Sequence, residues 1–164
     1  MIRPNAQFEK ITDIKIDFFK EHNIKGIILD LDNTLIDLDG NYLDGIKDWI
    51  NQMKQSKINF CIATNSVNKE KISELAKELD IPFVYMSMKP FKIGIKKAIS
   101  ILNEKEENIA EIGDQVFTDV WVSNKMNLFS ILTNPISKDR FKLDVIKRKF
   151  EKWYLSKQRI KKEQ

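Results

Sequence analysis

The sequence predicts an α/β fold in which helices cover both faces of a parallel sheet. Two observations carry that prediction: five short apolar runs that read as buried strands, and helical spacing of apolar residues in the stretches between them. A chain of 164 residues is also large enough to close one such core as a single domain.

Taken in order, the first run is 26–31 (GIILDL). Ile46, Trp49, Ile50 and Met53 then follow the i, i+3, i+4, i+7 rule and predict a helix over 44–56 with Asp44 at its N-cap. The second run, 58–63 (INFCIA), holds the single cysteine, Cys61, which reads as a small core residue. Ile72, Leu75, Ala76 and Leu79 predict the next helix, and 81–86 (IPFVYM) the third strand. Ile95, Ala98, Ile99 and Leu102 repeat the helical spacing before strands at 109–113 (IAEIG) and 128–132 (LFSIL).

Charge divides the chain in two. Residues 140–164 carry ten Lys/Arg against Asp144, Glu151 and Glu163, a sum of +7; the net charge of +4 leaves −3 for the other 139 residues. This predicts a domain over 1–139 and a basic amphipathic helix or tail over 140–164, either part of that domain or appended to it. In the tail Phe141, Val145, Ile146, Phe150, Trp153 and Tyr154 fall near one helical face among lysines, a pattern suited to an anionic lipid surface. The competing readings are a helix that caps the core and a solvated end, and basic tails also bind nucleic acid. One cysteine excludes an internal disulfide and a cysteine metal cage, and fits a reducing cytosol. The N-terminus has no apolar signal region and no run approaches the ~20 residues of a membrane span, so the expectation is a cytoplasmic chain, peripheral on a membrane at most.

Ligands of parallel α/β sheets bind at the carboxyl ends of the strands. There the sequence places Asp30 and Asp32, then Thr64-Asn65-Ser66, then Lys89-Pro90, then Gly113-Asp114-Gln115 with Thr118 and Asp119 following. Converging carboxylates repel unless a cation sits among them, and an all-oxygen set selects Mg²⁺. A carboxylate can attack phosphorus to give an aspartyl-phosphate, a second carboxylate can act as acid and base, and a lysine can steady the transferring phosphoryl group. A solvated strand-to-loop turn is the plain alternative for the Asp30/Asp32 pair alone. An EF-hand fails for want of a glycine at the sixth loop position. A receiver domain fails because its phosphorylated aspartate follows the third strand rather than the first.

DLDNTL, the strand-end Thr64-Asn65, Lys89-Pro90 and GDQVFTD resemble, in order, the four motifs of the haloacid dehalogenase (HAD) superfamily. With the following NPIS segment the chain is similar to YqeG-type HAD phosphatases from about residue 4 to residue 150; mitochondrial and plant members of that group are phosphatidylglycerophosphate phosphatases. The resemblance implies a HAD-like (Rossmann-like) three-layer sandwich with a five-stranded parallel sheet. It implies Asp30 as nucleophile, Asp32 as general acid/base, and Thr64 and Lys89 as phosphoryl contacts. Asp30, the Asp32 carbonyl and Asp114 would ligate Mg²⁺, with Asn65 and Asp119 in support. Gln115 departs from the pattern, standing where many members carry a second aspartate. Lys92 competes with Lys89 for the phosphate.

HAD enzymes with small substrates usually cover the site with an inserted cap. Only 36–43 remains unassigned between Asp32 and the helix over 44–56, and one helix and one strand fill the stretch from Thr64 to Lys89. No cap domain is expected, and an open site suits a phosphate on something bulky. The expected activity is Mg²⁺-dependent phosphomonoester hydrolysis, on phosphatidylglycerophosphate by family resemblance. The alternatives are a nucleic-acid end, a protein or a soluble metabolite as substrate, and, outside enzymes, a HAD-fold protein that binds RNA or a ribosomal partner through 140–164.

Overall fold

Gly26–Leu29, the greasiest strand of the chain, lies in the interior of a sheet whose two faces are both covered. The computed structural model describes residues 1–157 and contains six strands, all parallel: β1 (Ala6–Phe8), β2 (Gly26–Leu29), β3 (Asn59–Ala63), β4 (Phe83–Val84), β5 (Ile109–Gly113) and β6 (Phe129–Thr133). Their spatial order is β1-β6-β5-β2-β3-β4. The helices are α1 (Ile16–Glu21), α2 (Ile46–Gln55), α3 (Lys69–Leu79), α4 (Lys92–Leu102), α5 (Trp121–Lys125) and α6 (Lys142–Ser156).

The alternation of a strand divides the core into two layers. Ile27, Leu29, Phe60 and Ile62 face Phe19 of α1, Trp49 and Ile50 of α2, and Ile72 and Leu75 of α3. Ile28 and Cys61 point the other way, onto Ile95 and Ala98 of α4 and Val122 and Met126 of α5. The three-layer α/β architecture is as expected, with one correction: the sheet has six strands rather than five. β1 pairs with β6 across more than a hundred residues of chain, and its three residues AQF are too short for a periodic signal.

Two boundaries also move. The stretch 81–86 forms strand only at Phe83–Val84, because Met86 and Met88 turn the chain with φ of 46° and 57°. Asp44 does not cap α2; Gly45, at φ 76°, takes the N-cap position without a side-chain bond. In α3, by contrast, the Asn68 side chain accepts from the Lys71 N–H at 3.1 Å. No separate cap fold occurs among the described residues: 36–43 makes only a small turn, in which Ile36 bridges Tyr42 and Asp37 accepts from the N–H groups of Asp39 and Asn41. Among the same residues, no helix is long and apolar enough to cross a membrane.

Candidate active site

Because all strands are parallel, the loops after β2, β3, β4 and β5 open on one edge. Asp30 continues β2 by donating its N–H to the Ile112 carbonyl at 2.9 Å, so its side chain is fixed by the central ladder. The chain then turns at Asn33, whose φ of 61° suits the short polar side chain of Asn. Asn33 Oδ1 accepts from the N–H (3.0 Å) and hydroxyl (2.7 Å) of Ser137, which ties the β2 loop to the Asn134–Ser137 segment after β6.

Lys89 reaches this edge from the loop after β4, and Asn65 holds it there. Asn65 Oδ1 accepts from the Lys89 N–H at 2.8 Å, and its Nδ2 donates to the Lys89 carbonyl at 3.0 Å. The buried Lys89 ammonium donates to Asp30 Oδ1 at 2.9 Å and to Asp119 Oδ1 at 2.6 Å, and lies 3.8 Å from Glu111 Oε1. Lys92 opens α4 at the surface and makes none of these contacts. Thr64 is buried at the end of β3, where its Oγ1 accepts from the Ser66 N–H at 3.1 Å. Asp32 is half-buried, two residues beyond Asp30.

Asp114 follows β5, and Asp119 returns toward it through a wide helical turn over Val116–Val120. Gly113 makes that return possible: a Cβ there would stand 2.3 Å from the Asp119 carboxyl carbon. Asp119 Oδ2 accepts from the Gln115 N–H at 3.0 Å, so Asp119 is also an organiser of its own loop. Carboxylate oxygens of Asp30, Asp114 and Asp119, all three buried, lie within 4.8 Å of one another.

This crowding is visible in the ionisation of the group. Burial raises the Asp30 carboxyl well above its ordinary value; Lys89 opposes this, and Asp119 and Asp114 add to it. Burial and Asp119 raise Asp114 to about 7 against the pull of Arg148. Burial alone would lower the Lys89 ammonium, but Asp119, Asp30 and Glu111 reverse this and hold it above its ordinary value. The donor set fits a hard divalent cation: the ligand atoms are all carboxylate oxygens, and Asp114 Oδ1 is buried with no hydrogen-bond partner.

Two residues at the site were not anticipated. Glu111 sits in β5 on the α4/α5 side and is fully buried; Ser123 Oγ donates to its Oε2 at 2.6 Å, and burial pushes its carboxyl up to about 8. A charged residue inside an apolar strand run was a signal for it. Arg148 comes from α6 and donates to Asp114 Oδ2 at 2.6 Å, a contact across 34 residues for which the sequence carried no signal. One residue departs from the face assigned to the tail. Phe141, Val145, Ile146, Phe150 and Trp153 are exposed, together with Leu143, whereas Tyr154 turns inward, where its hydroxyl accepts from the Ile2 N–H at 3.0 Å. The part of the expected tail over 158–164 lies outside the described residues.

A family profile described as mitochondrial PGP phosphatase matches residues 1–137. The probable phosphatase YqeG of Bacillus subtilis (strain 168) is 34% identical over 135 residues, which cover 82% of this chain and 78% of that protein. Among solved structures, a thermostable NPPase of Geobacillus stearothermophilus superposes with a TM-score of 0.59 at 12% identity, over 74% of this chain and 93% of its own. The cobalt-bound deoxy-D-mannose-octulosonate 8-phosphate phosphatase YrbI of Haemophilus influenzae gives 0.56 at 17% identity, over 70% of each chain. At such identities these two speak for the fold. Residues matched, sequence identity and strand-end carboxylates agree: the chain belongs to the mitochondrial PGP phosphatase family and is a phosphatase of the HAD superfamily.

Proposed function

We propose that the chain is a Mg²⁺-dependent phosphomonoesterase that works through an aspartyl-phosphate on Asp30 and acts on phosphatidylglycerophosphate at the cytoplasmic membrane face. The observation that carries the reading is the buried Lys89 ammonium shared by Asp30 (2.9 Å) and Asp119 (2.6 Å) beside Asp114. Asp30, Asp114 and the Asp32 carbonyl would hold the ion, and Asp119 supports the shell and Lys89. When bound, Mg²⁺ supplies positive charge for the phosphoryl oxygens and offsets both the burial and the carboxylate repulsion that raise Asp30 and Asp114.

Lys89 occupies Asp30 Oδ1, which leaves Oδ2 for attack on phosphorus. As the bond from Oδ2 to phosphorus forms, the bond from phosphorus to the leaving alcohol oxygen breaks, and Asp32 gives that oxygen its proton. Asp32 then takes a proton from water, whose oxygen attacks phosphorus and frees the Asp30 carboxylate and inorganic phosphate. Thr64 donates to a phosphoryl oxygen, and Lys89 stays cationic throughout.

The lipid is supported by family membership and by the surroundings of the site. No separate cap fold occurs among the described residues, and exposed Met86, Met88 and Phe91 stand on the loop that carries Lys89. On the other flank α6 turns Leu143, Ile146, Phe150 and Trp153 outward, with Lys142, Lys149 and Lys152 exposed between them.

The test is phosphate release from phosphatidylglycerophosphate in mixed micelles, with Mg²⁺ or EDTA, for wild type and Asp30→Asn, with p-nitrophenyl phosphate in parallel. Release that requires both Mg²⁺ and Asp30 is the expected result. Hydrolysis of p-nitrophenyl phosphate alone would discard the lipid and keep the chemistry. Metal-dependent turnover by a clean Asp30→Asn preparation would remove Asp30 as nucleophile.

A further inference from the structure

The family match ends at residue 137, and α6 begins at Lys142, yet α6 grips the loop that carries Asp114. Lys147 Nζ donates to Gln115 Oε1 at 2.5 Å, Glu151 Oε1 accepts from the Phe117 N–H at 3.1 Å, and the rings of Phe117 and Phe150 stack at 5.7 Å. Arg148 goes furthest in. Its Nη1 donates to the Asp114 carbonyl at 2.5 Å and its Nη2 to Asp114 Oδ2 at 2.6 Å, so one guanidinium holds both the backbone and the side chain of the same residue.

The fork is itself held in place. Asp139 accepts from Nε at 3.1 Å and from Nη2 at 3.2 Å, and Glu151 Oε2 lies 3.6 Å from Nη1. With 13% of its side chain exposed, Arg148 is fixed by carboxylates on both sides of the one it orients. A planar guanidinium with this bonding sets the rotation of the Asp114 carboxylate in a way that a lysine point charge does not. It engages Oδ2 and leaves Oδ1, the buried oxygen without a partner, for another ligand.

We infer that Arg148 is a positioning residue of the metal centre: from α6 it fixes the Asp114 carboxylate so that Oδ1 is presented to the divalent cation, which makes the C-terminal helix part of the active site. The inference rests on the metal-dependent reading above and extends it beyond the residues that the family match covers. Partners that orient metal ligands are worth about 10–100-fold in metal affinity.

The experiment is calorimetric titration of Mg²⁺ alone into metal-free wild type, Arg148→Met and Arg148→Lys, with thermal unfolding in EDTA and the Mg²⁺ dependence of p-nitrophenyl phosphate hydrolysis alongside. Arg148→Met is expected to bind Mg²⁺ about 10–100-fold more weakly. Its half-saturating Mg²⁺ concentration should rise by the same factor, while kcat at saturating metal falls much less. Arg148→Lys, which keeps the charge and loses the fork, is expected to be weakened as well. Unchanged or tighter Mg²⁺ binding by a folded Arg148→Met would overturn the inference. If that variant does not fold, wild-type affinity in Arg148→Lys would overturn it. Failure of the wild type to bind Mg²⁺ would instead refute the metal-dependent reading, and this inference with it.

Discussion

Gly113 stands between β5 and Asp114, and a single methyl group there tests how tightly the centre is set. In Gly113→Ala the new Cβ would lie 2.3 Å from Asp119 Cγ and Oδ2 and 2.7 Å from its Cβ, where ordinary contact begins at 3.4 Å. Something must move by about 1.1 Å. The strand cannot give easily, since Gly113 is in register with Leu132 of β6. The Asp119 side chain therefore moves, and with it the 2.6 Å bond to Lys89 and the 3.0 Å bond from Gln115. Overpacking of this kind costs about 1–3 kcal/mol, and each kcal/mol lowers Tm by roughly 2–4 °C for a chain of this size. A displacement of about 1 Å at a reacting centre costs on the order of 100-fold in rate. The assay is kcat/KM for p-nitrophenyl phosphate with saturating Mg²⁺, beside Tm. Gly45→Ala is the control: at φ 76° with nothing within 4 Å, it strains the backbone without touching the site, so it should lose stability and keep activity. An unchanged kcat/KM in Gly113→Ala would refute the argument that Asp119 must sit where it does.

Three further outcomes are expected. Lys89→Met should lower kcat/KM by about 10²–10³, whereas Lys92→Met should leave it unchanged; equal losses would reassign the phosphoryl contact. Burial raises Glu111 from 4.5 to about 8, so the folded chain keeps a proton that the unfolded chain releases. Stability from this group is full in acid and is lost as pH rises through that window; the Tm of Glu111→Gln relative to wild type should therefore climb between pH 4.5 and about 8, and a flat difference would refute the assignment. Cys61 is fully buried, and burial pushes its thiol up to about 12, so an aromatic disulfide reagent should label it only at the rate of global unfolding. Rapid labelling under native conditions would refute that.

The site was legible in the sequence wherever one rule sufficed. Parallel strands deliver their carboxyl ends to one edge, so Asp30, Thr64 and Asp114 are read by finding strands and looking one residue past them, and Lys89 by looking along the loop after β4. The choice between Lys89 and Lys92 needed more, because it depends on Asn65 binding the Lys89 backbone from another loop. Glu111 was visible as an oddity, but its meaning comes from Ser123 and Lys89, which reach it from different elements. Arg148 and β1 were illegible for one reason: each finds its partner far along the chain, Asp114 and β6 respectively, and neither leaves a periodic or local trace. In the tail, hydrophobic spacing marks a face without saying whether it points inward, so both readings of it stayed open until the helix was seen. Here the helix turns Arg148 and Glu151 to the protein and Ile146 and Trp153 away from it.

The two outermost strands are the shortest but for nothing between them: β1 has three residues and β4 two. Pro82, which has no N–H to donate, precedes β4, and the positive φ of Met86 bends the chain away just after it. A sheet grows by recruiting strands at open edges, and a long, flat edge invites another copy to add on. This sheet ends itself on both sides, so unpaired backbone is scarce where aggregation by strand addition would begin. Association of this protein with another molecule is thereby directed to side chains rather than to the ladder.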